Sequence, residues 1–227
     1  GLLWCLILAI VGARLYHVFT PSPSMAEVGI NSPADYFRNP MQLINLRRGG
    51  LGIYGGIAGG ALGLLLYSYR HRMSALKWAD VAVIGVALGQ FVGRWGNFFN
   101  QELYGAPTTV PWAVWIEPQY RLSGFTEFNR FHPAFLYESI WNLLAFVVLF
   151  MLWRRYRRRL LDGDIMASYL ILYAVGRVLM ELVRLDSRPF SLAGLTFDVP
   201  VATVVSVVVA LAMVAWIVWR HRKAEAS

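Results

Sequence analysis

Arg94 lies in Gly89-Gln-Phe-Val-Gly-Arg-Trp-Gly-Asn-Phe-Phe-Asn100, a stretch that otherwise reads as the end of a membrane-spanning helix. A guanidinium in lipid costs about 3 kcal/mol on insertion scales, so Arg94 calls for an anionic partner or a wet cavity. Asn97 lies one helical turn on, with Gly93 and Gly96 beside it. That puts two polar groups on one face with little bulk to obstruct a ligand. A second such stripe is Tyr173, Arg177, Glu181 and Arg184, spaced to share one side of a helix. His132, Tyr137 and Glu138 open another apolar run, and Arg14, Tyr16 and His17 close the first. Several arginines aimed at one place suit an oxyanion, above all a phosphate, which guanidinium grips through paired hydrogen bonds.

The same inventory excludes other chemistry. The chain has no serine–histidine–acid triad in a G-x-S-x-G elbow and no H-E-x-x-H metal spacing. Cys5 is the single cysteine, in an apolar run, so it reads as a small packed residue, with no disulfide within the chain. Neither a metal nor a cofactor is called for. If a reaction occurs, the attacking group comes from a second substrate.

The elements that must position these groups are membrane helices. Of 227 residues 57% are hydrophobic and only 15% charged, with a mean hydropathy of +0.49. An average soluble domain carries roughly 25% charged residues. The apolar runs predict an all-α polytopic membrane protein, one integral membrane domain over residues 1–227, with six transmembrane helices. These are placed at about Leu2–Phe19, Gly50–Tyr67, Ala79–Phe99, Pro133–Trp153, Asp164–Val183 and Val201–Trp219. On one side lie the short segments 68–78, 154–163 and the tail 220–227, which hold eleven of the lysines and arginines, including Arg154-Arg-Tyr-Arg-Arg-Arg159. The longer loops 20–49, 100–132 and 184–200 hold seven. Short basic connections mark the cytoplasm, so the long loops face outward. The arginine run reads as a topology anchor beside anionic membrane lipids, and nothing suggests nucleic-acid binding.

With this orientation, polar residues from the first, third, fourth and fifth spans meet at one outer depth, which predicts a shared cavity. A site open there receives a lipid sideways, with its acyl chains left in the bilayer, and the ligand expected is an anionic phospholipid. Gly52, Gly56 and Gly60, and likewise Gly55, Gly59 and Gly63, repeat at four residues in the second span, a spacing that lets helices approach closely. Two outer loops look structured. Residues 20–49 hold four prolines, and Pro111-Trp-Ala-Val-Trp-Ile116 alternates like a short strand.

At Gly93-Arg-Trp-Gly-Asn-Phe-Phe-Asn-Gln-Glu-Leu-Tyr-Gly105 the chain closely resembles the signature of the bacterial prolipoprotein diacylglyceryl transferase family. Gly12-Ala-Arg-Leu-Tyr16, His132-Pro-Ala-Phe-Leu-Tyr-Glu138, Tyr173-Ala-Val-Gly-Arg-Val-Leu-Met-Glu-Leu-Val-Arg184 and the glycine-rich Gly49–Gly56 agree in order. The resemblance implies a multi-pass enzyme of the bacterial cytoplasmic (inner) membrane, its site toward the outer leaflet. It also implies seven helices, so this chain looks like the family with its first span missing. Members transfer the diacylglyceryl group of phosphatidylglycerol to the lipobox cysteine of a prolipoprotein signal peptide, leaving a thioether and glycerol phosphate.

Carried over residue by residue, the resemblance implies that Arg94 and Arg177 hold the phosphate and stabilise the departing glycerol phosphate. Asn97 and Glu102 position the headgroup or brace the loop, and Glu181 orients Arg177 or accepts a proton. Tyr173 and Tyr137 line the cavity, His132 and Glu138 shape its rim, and Arg14 is a further candidate contact. Many relatives carry a histidine proposed as base where this chain has Tyr54. Tyrosine, with an ordinary pKa of ~10, is a poor base at neutral pH. Three routes therefore stay open: Tyr54 only hydrogen-bonds the headgroup, Glu181 or His132 takes the proton, or the arginine field eases thiol ionisation. The rival readings are a transporter or channel, which predicts polar residues across the whole membrane depth, and a lipid-binding scaffold without turnover.

Overall fold

The computed structural model describes residues 1–21, 25, 29–30, 32–45, 50–185, 189–192 and 195–226, and it is mostly helical. In chain order the elements are α1 (Leu2–Phe19), α2 (Pro33–Arg38), α3 (Met41–Ile44), α4 (Ile53–Arg70) and α5 (Ala75–Phe99). They continue with β1 (Val114–Trp115), β2 (Arg130–Phe131), α6 (Ala134–Tyr156), α7 (Asp164–Glu181), β3 (Pro189–Leu192), β4 (Leu195–Pro200) and α8 (Val201–Glu225). Each expected span coincides with a helix. Among the described residues, however, four helices are long and apolar enough to cross a membrane by length and composition, namely α1, α5, α6 and α8. The other two long helices, α4 and α7, have 18 residues each. Glycines and tyrosines dilute the hydropathy of α4, and Asp164, Arg177 and Glu181 that of α7. The residues that give these two helices their packing and polar groups also lower their apolar signal.

The chain divides into two compact units, Gly1–Trp78 and Ala79–Ser227, with the boundary inside α5. In unit 1, α1 packs along α4. A Cβ on Gly12 would stand 2.3 Å from the Gly55 carbonyl oxygen, and one on Gly59 2.0 Å from that of Leu8. Such contacts are with backbone, which cannot yield, so glycine is what permits this approach. Of the two glycine stripes, Gly55, Gly59 and Gly63 form the tight seam. A Cβ on Gly56 or Gly60 would meet the Ala13 or Ala9 Cβ at ordinary distances of 3.5 and 3.7 Å. The loop that follows α1 folds α2 and α3 over a small core of Val18, Met25, Ile30 and Tyr36. These two short helices were not expected from the sequence.

In unit 2, Ala87 of α5, Leu149 of α6 and Ile165 of α7 are the buried centre of the helix packing. α8 contacts α7 and leaves most of its surface uncovered. The Asp80 carboxylate accepts hydrogen bonds from the Gly163 and Met166 amides at 2.7 and 2.8 Å, which satisfies orphan N–H groups at the start of α7. The strand expected near Val114 is present, paired antiparallel with β2. The segment before α8 forms an antiparallel β3–β4 pair that the sequence reading left as plain loop.

Candidate functional site

In unit 2 the polar residues singled out from the sequence gather where α5, α6 and α7 end or begin. Arg94 of α5 forms an ion pair with Glu138 of α6, whose side chain is 11% exposed. The anionic partner that a membrane arginine requires is therefore supplied by the next helix. Arg177 pairs with Glu181 at 2.6 Å, one turn apart on α7, and the glutamate side chain is 6% exposed. Both arginines keep further N–H groups beyond the one in contact with carboxylate.

α6 joins the two pairs. Ser139 donates to the Phe91 carbonyl of α5 at 3.0 Å, and Trp141 donates through Nε1 to the Leu172 carbonyl of α7 at 2.9 Å. The indole lies flat enough on α7 that a Cβ on Gly176 would come within 2.2 Å of it. Glycine beside Arg177 thus lets α6 close on the helix that carries the second arginine. A direct α5–α7 link completes the set, from the Tyr169 hydroxyl to Gln90 Oε1 at 3.2 Å. Gln90 lies one turn before Arg94 and Tyr169 two turns before Arg177, on the same stripes.

The connection after α5 holds the remaining candidates. Glu102 Oε1 accepts hydrogen bonds from Asn97 Nδ2 at 3.0 Å and Asn100 Nδ2 at 3.1 Å. On either side of it Gln101 and Leu103 adopt left-handed backbone, with φ of 52° and 54°. For residues with side chains this costs about 1–2 kcal/mol each, and such strain tends to be kept where a neighbouring group must be aimed. Tyr104, Ile116 and Phe131 give the loop a small buried core. Gly105 then bridges to Arg184 and receives no side chain because a Cβ would meet the Val183 carbonyl at 2.6 Å. Gly105 donates to the His132 carbonyl at 2.9 Å, and Ala106 to that of Val183 at 2.8 Å. One extended segment therefore ties the entry to α6 to the exit from α7.

His132 Nδ1 is 3.1 Å from the Tyr137 hydroxyl, which also accepts from Trp112 Nε1 at 2.8 Å. Tyr173 is half exposed, its ring 6.2 Å from that of Tyr169. The sequence reading gave no role to Gln90, Tyr169, Trp141, Gly176, Gly105 and Trp112. Gln90 was visible as a polar residue one turn before Arg94, whereas the bridge made by Gly105 has no sequence signal of its own.

Arg14 and Tyr54 belong to unit 1. Arg14 is buried and donates to the carbonyls of Leu43 at 2.8 Å, Gly50 at 2.7 Å, Asn45 at 3.3 Å and Gln42, with its guanidinium over the Tyr36 ring. Backbone oxygens of the following loop thus take up these Arg14 donors. Tyr54 is exposed, its ring 5.7 Å from that of Tyr16. With Tyr16, His17, Gly50 and Gly52 it lines an open hollow of about 320 Å³. His17, a residue given little weight in the sequence, is buried there with Nε2 2.9 Å from the Tyr36 hydroxyl.

Comparison with known proteins bears on this arrangement. The family model for prolipoprotein diacylglyceryl transferase matches residues 1–219. The phosphatidylglycerol–prolipoprotein diacylglyceryl transferase of Frankia alni is 42% identical over 93% of this chain and 53% of that protein. A second protein of that name from Streptomyces coelicolor is 42% identical over 81% of this chain and 55% of its own length. The one from Synechocystis is 38% identical over 96% and 72%. The chain thus spans about half the length of the first two relatives and more of the third. With the signature residues Arg94, Asn97, Glu138, Arg177 and Glu181 all inside the matched range, the chain belongs to the prolipoprotein diacylglyceryl transferase family.

Proposed function

We propose that the protein transfers the sn-1,2-diacylglyceryl group of phosphatidylglycerol to the lipobox cysteine thiol of a prolipoprotein, the first step of lipoprotein maturation. The observation that carries this reading is the pair of arginines on α5 and α7, each held by a carboxylate, on two helices that both bond to α6. Glu138 and Glu181 orient the guanidinium groups and leave donors for a phosphate diester. Asn97 and Glu102, with His132 and Tyr137, shape the rim against which the headgroup rests, and Tyr173 lines it.

In the reaction, the cysteine sulfur forms a bond to the glyceryl carbon that bears the phosphate. The carbon–oxygen bond to phosphate breaks, and the electron pair leaves on glycerol phosphate, whose growing charge Arg94 and Arg177 stabilise. The thiol proton departs to a base or to water. Glu181 and His132 are the acceptors within unit 2, and Arg14 and Tyr54 are given no part in this cradle. The six helices of 18–25 residues and the short basic segments support six membrane crossings. Loops 20–49, 100–132 and 184–200 then lie on the outer face of the bacterial inner membrane.

The test is to incubate membranes holding the full-length protein with phosphatidylglycerol and a lipobox peptide and to measure the peptide's mass. The expected result is a gain of one diacylglyceryl group, lost in Arg94→Ala and Arg177→Ala. Binding of the lipid without any mass gain would leave a scaffold and overturn the proposal.

A further inference from the structure

The opposite end of unit 2 carries charge that the proposed reaction does not use. α6 ends in Arg154-Arg-Tyr-Arg-Arg-Arg159, and all six residues are exposed. Among the described residues, none of these five arginines has an ion pair or a side-chain hydrogen bond. Arg155 lies over the Tyr156 ring at 5.9 Å. Five like charges in six residues repel one another, and the weak negative pole of a helix C-terminus offsets only part of that.

Of the acids nearby, Asp80 and Asp164 are buried, and Glu225 of α8 is exposed. Asp80 is taken by the Gly163 and Met166 amides. Asp164, 2% exposed, is taken by the Leu161 amide at 2.8 Å and His221 Nε2 at 2.7 Å. Arg220 donates to the Asp162 carbonyl at 2.5 Å. These contacts fasten the basic end of α8 to the turn that follows the arginine run, and Arg222 and Lys223 beside them stay exposed. Lys223 lies over the Trp219 ring at 5.5 Å, and Trp219 and Trp153 are themselves exposed.

We propose that this end of unit 2 is a seat for anionic phospholipid headgroups, built from the arginines at 154–159 together with Arg222 and Lys223. Three features select a lipid. The cations cap two helices long and apolar enough to cross a membrane, which puts them at headgroup depth. Exposed tryptophans flank them, as at membrane interfaces. Guanidinium matches a phosphate diester through paired hydrogen bonds. This goes beyond a topology anchor, because it requires one class of lipid to be retained over another. It does not depend on the transfer reaction.

The experiment uses the full-length protein in phosphatidylcholine nanodiscs containing a minor share of phosphatidylserine, an anionic lipid outside the proposed reaction. Native mass spectrometry then counts the lipids retained. Wild type is expected to keep phosphatidylserine over phosphatidylcholine by about tenfold, falling toward parity in high salt. Arg157→Gln, Arg158→Gln and Arg159→Gln combined should lower that preference at least about fivefold. The salt titration needs wild type alone, so a misfolded variant does not remove the test. A preference that ignores salt, or a triple variant that retains phosphatidylserine like wild type, overturns the proposal. So does a short RNA that displaces the lipid in equal measure.

Discussion

Unit 1 and unit 2 each hold arginine near the end of an apolar helix, and they use it in opposite ways. Arg14 donates to backbone carbonyls of one loop, and its ring contact with Tyr36 seals it in. Carbonyl oxygens carry no net charge, and the loop they belong to cannot leave without unfolding. Arg94 and Arg177 meet carboxylates instead, and among the described residues each guanidinium keeps donors that no backbone claims. A carboxylate can be shared with, or displaced by, a phosphate. On the proposed reading, carbonyl partners make Arg14 a structural rivet, and carboxylate partners leave Arg94 and Arg177 able to take an anion.

The sharpest way to break this contrast is to remove one guanidinium from unit 2. Arg94→Ala should lower diacylglyceryl transfer by about 10²–10³, the loss typical of a donor that stabilises developing charge. It also leaves Glu138 unpaired at low exposure, which costs stability. Adding Glu138→Gln to Arg94→Ala should recover thermal stability in detergent without recovering turnover. A double variant that regained both would assign Arg94 to packing alone.

The next largest effect belongs to the glycine seam of unit 1. Gly59→Val places carbon against the Leu8 carbonyl, where even a Cβ has only 2.0 Å. Overpacking against backbone should cost about 3 kcal/mol, seen as a lower unfolding temperature of the purified protein. Gly60→Ala, on the looser stripe with Ala9 at 3.7 Å, should be close to neutral. Equal losses from the two would mean that α1 and α4 do not meet at the seam described.

Arg14→Lys sharpens the comparison directly. An ammonium is a compact point charge and cannot reach four carbonyls spread from Gln42 to Gly50. The expected loss is about 2 kcal/mol of stability, with faster proteolysis within residues 40–50. Affinity for phosphatidylglycerol should stay within about twofold, since its described donors go to carbonyls of the loop. An isolated fall in lipid affinity would return Arg14 to the substrate-binding role that its position suggested.

These cases mark what the sequence could and could not convey. Helix positions were legible, because 18 or more apolar residues between polar ends have few other readings. The stripe Tyr173, Arg177 and Glu181 was legible for the same reason, since helical spacing is local. The fate of Arg14 was not: its partners lie 28 to 36 residues away and are backbone oxygens, which every residue type possesses. The same holds for Gly105, whose bridge to Arg184 depends on a loop closing. α2 and α3 escaped because helices of 6 and 4 residues show no periodicity.

Glu102 offers the smallest and most discriminating test. Both of its hydrogen bonds, from Asn97 and Asn100, arrive at the same oxygen. A glutamine amide oxygen in that place can accept both, so a bracing role needs the oxygen and not the charge. Glu102→Gln should then change stability and turnover by less than about 0.5 kcal/mol, whereas Glu102→Leu should cost about 1 kcal/mol by removing the acceptor that ties two exposed amides together. The strained Gln101 and Leu103 backbone on either side would relax only in the second case, making the 100–104 amides exchange faster. If Glu102→Gln instead abolished transfer and left the fold intact, the carboxylate charge itself would be needed at the substrate. The site would then hold a third acid in direct contact with the headgroup or the thiol.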